Sequence, residues 1–181
     1  MTSAIFRDGL PMTEEGFLSL GETAERIELF DGSLFVTPAP SPRHQIISRR
    51  LANALDTDPE LTVMEAVNVR LKTGRIPIPD IVVTNAVNLD ESIIDAGAVR
   101  LVGEIVSPSN AAADKVLKMH YYAAAGIPYY LLVDTETRTL YLFGLKGDKY
   151  LEHLSAKPGE SMHITDPVDV TLVPEDLLPP R

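Results

Sequence analysis

The chain has 181 residues, 45% hydrophobic and 23% charged, and a protein of this length buries about 70% of its unfolded surface, enough for a proper core. No run approaches the roughly 18–20 apolar residues of a membrane span, the first ten residues carry no apolar signal core, and the lack of cysteine excludes disulfides and thiolate metal sites. The formal charge of -10 argues against a broad basic nucleic-acid face. A single cytoplasmic domain over 1–181 is expected, with a core of about 13–154, a tail at 174–181 and no membrane contact. Any bound metal is expected on oxygen or histidine ligands, which favours Mg²⁺ or Mn²⁺ over a structural zinc.

In chain order, Thr13 is placed to cap a first helix reaching about Leu20, with Met12 and Phe17 as a hydrophobic staple. Two strand-like runs, 26–30 and 33–37, flank Asp31-Gly32, a strong hairpin signal. In the first run Ile27 and Leu29 alternate with Arg26, Glu28 and Phe30, so Glu28 lies off the most apolar face and reads as a solvated hairpin carboxylate. A short proline-rich loop leads to a helix from Ser41 or Arg43 to Leu55. His44 lies in its first turn, as a surface or capping residue or as a phosphate contact. Residues 62–72 alternate over their second half and predict one half-buried strand with a basic face, which Gly74-Arg75 turns into an antiparallel partner.

That partner carries the first oddity. Asp80 stands at the mouth of the apolar run Ile81-Val82-Val83, directly after a proline that cannot donate to a sheet ladder. After an irregular acidic connection at 88–98, with one helical turn, the second appears: Glu104 inside Leu101-Val102-Gly103-Glu104-Ile105-Val106. An ionised group in such a strand must meet a cation, because desolvating it costs several kcal/mol even after relaxation. Residues 107–110 break the strand and supply helix caps, and a helix follows over 111–125, stopped by Gly126 and Pro128. On it Asp114, Lys118 and Tyr122 share one stripe. Two carboxylates on neighbouring core strands, with an amine from the next helix, suit a hard divalent cation and a phosphodiester. The two basic segments 43–75 and 115–118 hold eight of the sixteen Lys and Arg residues and are expected to border this site.

Tyr129-Tyr130-Leu131-Leu132-Val133 reads as another core strand. Residues 139–143 and 150–154 read as an antiparallel pair around Lys146-Gly147-Asp148, and 168–173 as an edge strand. From 174 the chain is too proline-rich for a regular element. His120, His153 and His163 lack partners at metal-ligand spacing and read as structural. Phosphate-loop, serine-elbow and His-Glu-x-x-His sequences are all absent.

Several of these residues also carry a resemblance. Pro79-Asp80, Glu104 with Ser107-Pro108-Ser109, Asp114 with Lys118 and Tyr122, and the run from Gly126 to Asp134 resemble the restriction endonuclease family of the Uma-two type, a branch of the PD-(D/E)XK nuclease superfamily. Glu28-Leu29-Phe30-Asp31-Gly32 and Ser41-Pro42-Arg43-His44-Gln45 are similar to its N-terminal signature. The resemblance runs from about 13 to 150 and implies an α/β fold of restriction-endonuclease type: a mixed β-sheet core flanked by helices, with an N-terminal β-hairpin. It implies a homodimeric endonuclease hydrolysing nucleic acid, DNA foremost, with Mg²⁺ or Mn²⁺. The site would be Asp80 and Glu104 with the backbone carbonyl of Ile105 as metal ligands, Lys118 as the amine, Glu28 as an accessory acid, and His44 and Tyr122 as outer residues. Val106 stands where the superfamily has lysine, and Lys118 is the natural substitute. The competing expectation is an inactive nuclease-fold binding or assembly module, in which Asp80, Glu104 and Lys118 form a buried salt-bridge network.

Overall fold

The computed structural model describes residues 3–5, 11–21, 23, 25–106 and 112–179, with 3–5 and 112–115 described by their backbone only. A first strand, β1 (Ser3–Ile5), precedes helix α1 (Glu14–Leu18), whose cap is Thr13: its hydroxyl accepts the Gly16 N–H at 3.0 Å. The helix ends two residues earlier than its sequence pattern suggests. β2 (Arg26–Phe30) and β3 (Ser33–Thr37) form the expected hairpin, and Asp31 and Gly32 both take the positive φ that its tight turn requires. Helix α2 (Pro42–Leu55) follows, capped by Ser41.

The predicted single strand at 62–72 is two strands. β4 (Thr62–Glu65) and β5 (Asn68–Arg70) are separated at Ala66, whose φ of 53° interrupts the strand, and they belong to different sheets. The alternation was real, but a left-handed residue inside it redirected the second half. β6 (Arg75–Ile76) and β7 (Ile81–Thr84) come next, then β8 (Ile93–Asp95) with a 3₁₀ turn at Ala96–Ala98, so the connection at 88–98 contains a short strand as well as a turn.

β9 (Val99–Val106), helix α3 (Ala112–Ala124) and β10 (Tyr129–Asp134) make a parallel crossover, and β11 (Thr139–Lys146) and β12 (Lys149–Ala156) return as the expected antiparallel pair. β13 (Met162–Ile164) and β14 (Val170–Leu172) pair apart from the main sheet, so the predicted last edge strand does not extend it. The proline-rich end contains a short helix, α4 (Pro174–Leu177), because a proline at the first helical position gives up an N–H that would have no partner there.

The central sheet has the order β12-β11-β10-β9-β7-β4 and is antiparallel except between β9 and β10. Strand alternation divides its side chains between two apolar layers. Ile81, Val83, Leu101, Ile105, Leu131 and Val133 pack against Ile47, Leu51 and Leu55 of α2 on one face. Val82, Val102, Tyr130 and Leu132 pack against Tyr122 and Ala123 of α3 on the other. At Gly103 an added Cβ would stand 3.1 Å from the Cβ of Ile81, a buried strand residue with nowhere to move. Gly103→Val is therefore expected to lose about 1–3 kcal/mol of stability by overpacking, read from the urea unfolding midpoint.

A second sheet, β1-β3-β2-β6, matters for function because of how it joins the first. β6 belongs to it and β7 to the central sheet, so residues 76–81 cross from one to the other. Pro77 and Pro79 flank Ile78 in this crossing, and neither proline can enter a ladder as a donor. The crossing draws β2 against the mouth of β7.

Candidate active site

Ile81 pairs with Gly103 across β7 and β9, so the preceding residue, Asp80, lies beside Glu104 with its side chain on the same face. The two carboxylates singled out by their apolar surroundings are neighbours. Lys118 and Tyr122, one helical turn apart on α3, descend onto the same face. Tyr122 donates its hydroxyl to Glu104 Oε1 at 2.7 Å, and Lys118 Nζ stands 3.7 Å from that oxygen. The main partner of Lys118 is Glu28, whose Oε1 accepts from Nζ at 2.8 Å and from the Ile78 N–H at 2.8 Å. Glu28, Asp80, Glu104 and Lys118 are 3%, 4%, 8% and 8% exposed.

Glu28 is thus no solvated hairpin carboxylate. Arg26, Glu28 and Phe30 share one face of β2, and the sheet-to-sheet crossing buries that face against the site. Arg26 comes with it and was not legible as a site residue. Its Nη1 donates to Asp80 Oδ1 at 2.8 Å and its Nη2 to the Ile78 carbonyl. The available signal was its position two residues before Glu28, on the same face. From the other side of the sheet His44, on the same α2 stripe as Ile47, places Nε2 3.1 Å from Asp80 Oδ2. The Ile105 N–H donates to that same oxygen at 2.8 Å, so Ile105 reaches Asp80 through its amide. The cap residues 107–110 and the side chain of Asp114 lie outside the described residues; among those described, Lys118 pairs with Glu28 and Glu104.

The electrostatics follow from burial. With all three ionised, the acids Glu28, Asp80 and Glu104 meet two permanent cations, Arg26 and Lys118, and leave one negative charge over. Burial would raise the carboxyl of Asp80, but the His44 ring, the Arg26 guanidinium and the Ile105 amide hold it well below the usual carboxylate range. Glu104 goes the other way, pushed up to about 7 by burial, with Asp80 adding to the rise and Lys118 opposing it. Burial also works against the charge of Lys118, yet Glu104 and Glu28 more than offset it and its ammonium is held more firmly than a free lysine's. Burial and the neighbouring Glu104 keep Tyr122 a neutral phenol.

This donor set fits a hard divalent cation. Asp80 and Glu104 offer carboxylate oxygens and the group carries surplus negative charge. Among the described residues no group of three or more His, Cys, Asp or Glu side chains is placed to hold a metal ion, so a cation here would rest on Asp80 and Glu104, with backbone oxygen or water for the rest. A cleft of about 910 Å³ reaches Asp80, Arg26 and His44 between apolar walls that include Met64 and Val67, with Glu25, Glu65 and Glu91 also on its lining.

Of the two basic segments, 115–118 brings Lys118 to the site, whereas cations of 43–75 turn elsewhere. Arg43 and Arg50 donate to the backbone carbonyls of Pro179 and Asp176, Arg70 pairs with Glu14 and Asp95, and Arg75 and Lys72 pair with Asp31. Arg75 also lies over the ring of Tyr121, 3.6 Å from its centroid.

A family model described as "Uma2: Putative restriction endonuclease" matches residues 14–174. The chain belongs to this family. No curated protein matches the Uma2 chain. A crystal structure described as a putative nuclease belonging to DUF820, from Anabaena variabilis, superposes with a TM-score of 0.74 at 17% identity, covering 92% of this chain and 97% of the other. At that identity the likeness speaks to the fold, and it matches the central mixed sheet flanked by helices described above.

Proposed function

We propose that this Uma2-family chain is a metal-dependent endonuclease that hydrolyses phosphodiester bonds of nucleic acid, DNA foremost. The observation that carries the reading is the convergence of Asp80, Glu104 and Lys118 on one buried face with a negative charge left over. Asp80 and Glu104, with the Ile105 carbonyl, would hold Mg²⁺ or Mn²⁺, which supplies Lewis-acid polarisation of the phosphoryl oxygen and an acidified water. Lys118 brings a preorganised positive charge for the transition state or orients the attacking water, in a site where burial strengthens each interaction. Glu28 aims that ammonium, and Tyr122 holds Glu104 Oε1 in place by its hydroxyl. His44 and the Ile105 N–H orient Asp80. A single domain acting as a homodimer in the cytoplasm belongs to the same proposal.

The second reading, an inactive module stabilised by a buried ionic network, is favoured by the close Lys118–Glu28 and Arg26–Asp80 pairs. Metal dependence separates the two. Supercoiled plasmid, single-stranded DNA and RNA are expected to be cut with Mg²⁺ or Mn²⁺ and left intact with EDTA. If nothing is cut and Mn²⁺ leaves the melting temperature unmoved, the module reading replaces the nuclease.

A further inference from the structure

Arg26 is the permanent cation that both touches Asp80 and opens onto the cleft. Among the described residues lining that cleft, the other ionisable groups are His44 and the acids Glu25, Glu65, Asp80 and Glu91. Lys118 is not part of the lining and is held between Glu28 and Glu104. Among the described residues lining the cleft, Arg26 is therefore the fixed positive charge that a phosphodiester would meet. The guanidinium is not saturated: Nη1 and Nη2 donate to Asp80 and the Ile78 carbonyl, while Nε is buried with no hydrogen-bond partner. Its planar fork matches a phosphate as well as it matches a carboxylate.

Asp80, for its part, is crowded. Arg26 takes Oδ1, and His44 and the Ile105 N–H take Oδ2. Of these three donors the Ile105 N–H is backbone of a core strand, whereas Arg26 is a side chain at the cleft, and a cation approaching Asp80 is repelled by the guanidinium directly bonded to it.

We infer that Arg26 is a substrate-positioning residue that exchanges partners: a divalent cation and Arg26 compete for Asp80, and the guanidinium displaced from the carboxylate receives the phosphodiester in the cleft. Cation and phosphodiester binding are then coupled through one side chain, and the coupling is reciprocal. The Ile78 carbonyl keeps the guanidinium at the cleft floor while Nη1 changes partner. This inference rests on the nuclease reading of the site.

The test is Mn²⁺ binding by isothermal titration calorimetry for wild type, Arg26→Gln and Arg26→Lys, each with and without dimethyl phosphate, a phosphodiester too small to bind through anything but its charged group. For wild type, dimethyl phosphate is expected to tighten Mn²⁺ binding about ten-fold. Arg26→Gln is expected to bind Mn²⁺ about ten-fold tighter than wild type by itself, and to show a tightening by dimethyl phosphate of about two-fold or less. Arg26→Lys keeps the charge without the fork and is expected to fall between them; it decides the matter if the glutamine variant does not fold. Unchanged or weaker Mn²⁺ binding in Arg26→Gln, or equal tightening by dimethyl phosphate in both proteins, would overturn the exchange and leave the nuclease reading intact. No Mn²⁺ binding by any of the three proteins would overturn both.

Discussion

Lys118→Met is expected to lose about 3–5 kcal/mol of unfolding free energy, because it strands two buried carboxylates rather than one. Glu28 and Glu104 both pair with its ammonium, at 2.8 Å and 3.7 Å, and both are buried. For a chain of this length the loss corresponds to a melting temperature lower by roughly 6–20 °C. Methionine preserves most of the volume, so the deficit reports charge and not a cavity. Adding Glu104→Gln to Lys118→Met is expected to restore part of the lost stability, since the second substitution removes one stranded charge; calorimetric melts of the wild type, both single variants and the double variant complete the cycle. Mn²⁺ then separates the two functional readings. If the carboxylates form a cation site, Mn²⁺ should raise the melting temperature of Lys118→Met more than that of wild type, because a divalent ion can replace the missing positive charge. A variant that Mn²⁺ leaves unmoved would show that these carboxylates do not form a cation site.

Asp80→Asn is expected to abolish cleavage in practice, by on the order of 10³-fold or more, through loss of an ionised oxygen ligand and of the charge that anchors Arg26. The change is nearly isosteric, so folding should survive it. Its cost is about 1–3 kcal/mol, because whichever way the new amide turns, its NH₂ faces a donor: Arg26 on one side, His44 and the Ile105 N–H on the other. Cleavage rates and urea melts on the same preparation distinguish a dead enzyme from an unfolded one. A folded Asp80→Asn protein that cuts at the wild-type rate would remove Asp80 from the site. The same variant should lose the Mn²⁺-dependent rise in melting temperature, a second readout that does not depend on identifying the substrate.

The acidic charge and the ion pairing of the basic residues bear on what such an enzyme would bind. Arg70, Lys72 and Arg75 are held in pairs with Glu14, Asp31 and Asp95, and Arg43 and Arg50 hold down the C-terminal backbone. Counterion release on a long duplex draws on clustered cations, and these are already engaged. Affinity would then come from the few groups at the cleft floor, which gives Arg26 its weight.

Residue by residue, the sequence by itself determined much of this protein. A charge inside an apolar strand run must have a partner, and that argument alone marked Asp80 and Glu104. Helical spacing put Lys118 and Tyr122 on one stripe, and the hairpin turn and the caps at Thr13 and Ser41 were written in local residue chemistry. What only the tertiary structure decided was which faces are covered. Strand alternation said that Arg26, Glu28 and Phe30 point the same way, but not that residues 76–81 would cross between two sheets and close that face over Asp80. The break at Ala66 escaped for a related reason: a single left-handed residue redirects a strand without disturbing the alternation on either side. Periodicity reports the faces of an element, and the partner of each face is chosen by packing between segments far apart in the chain.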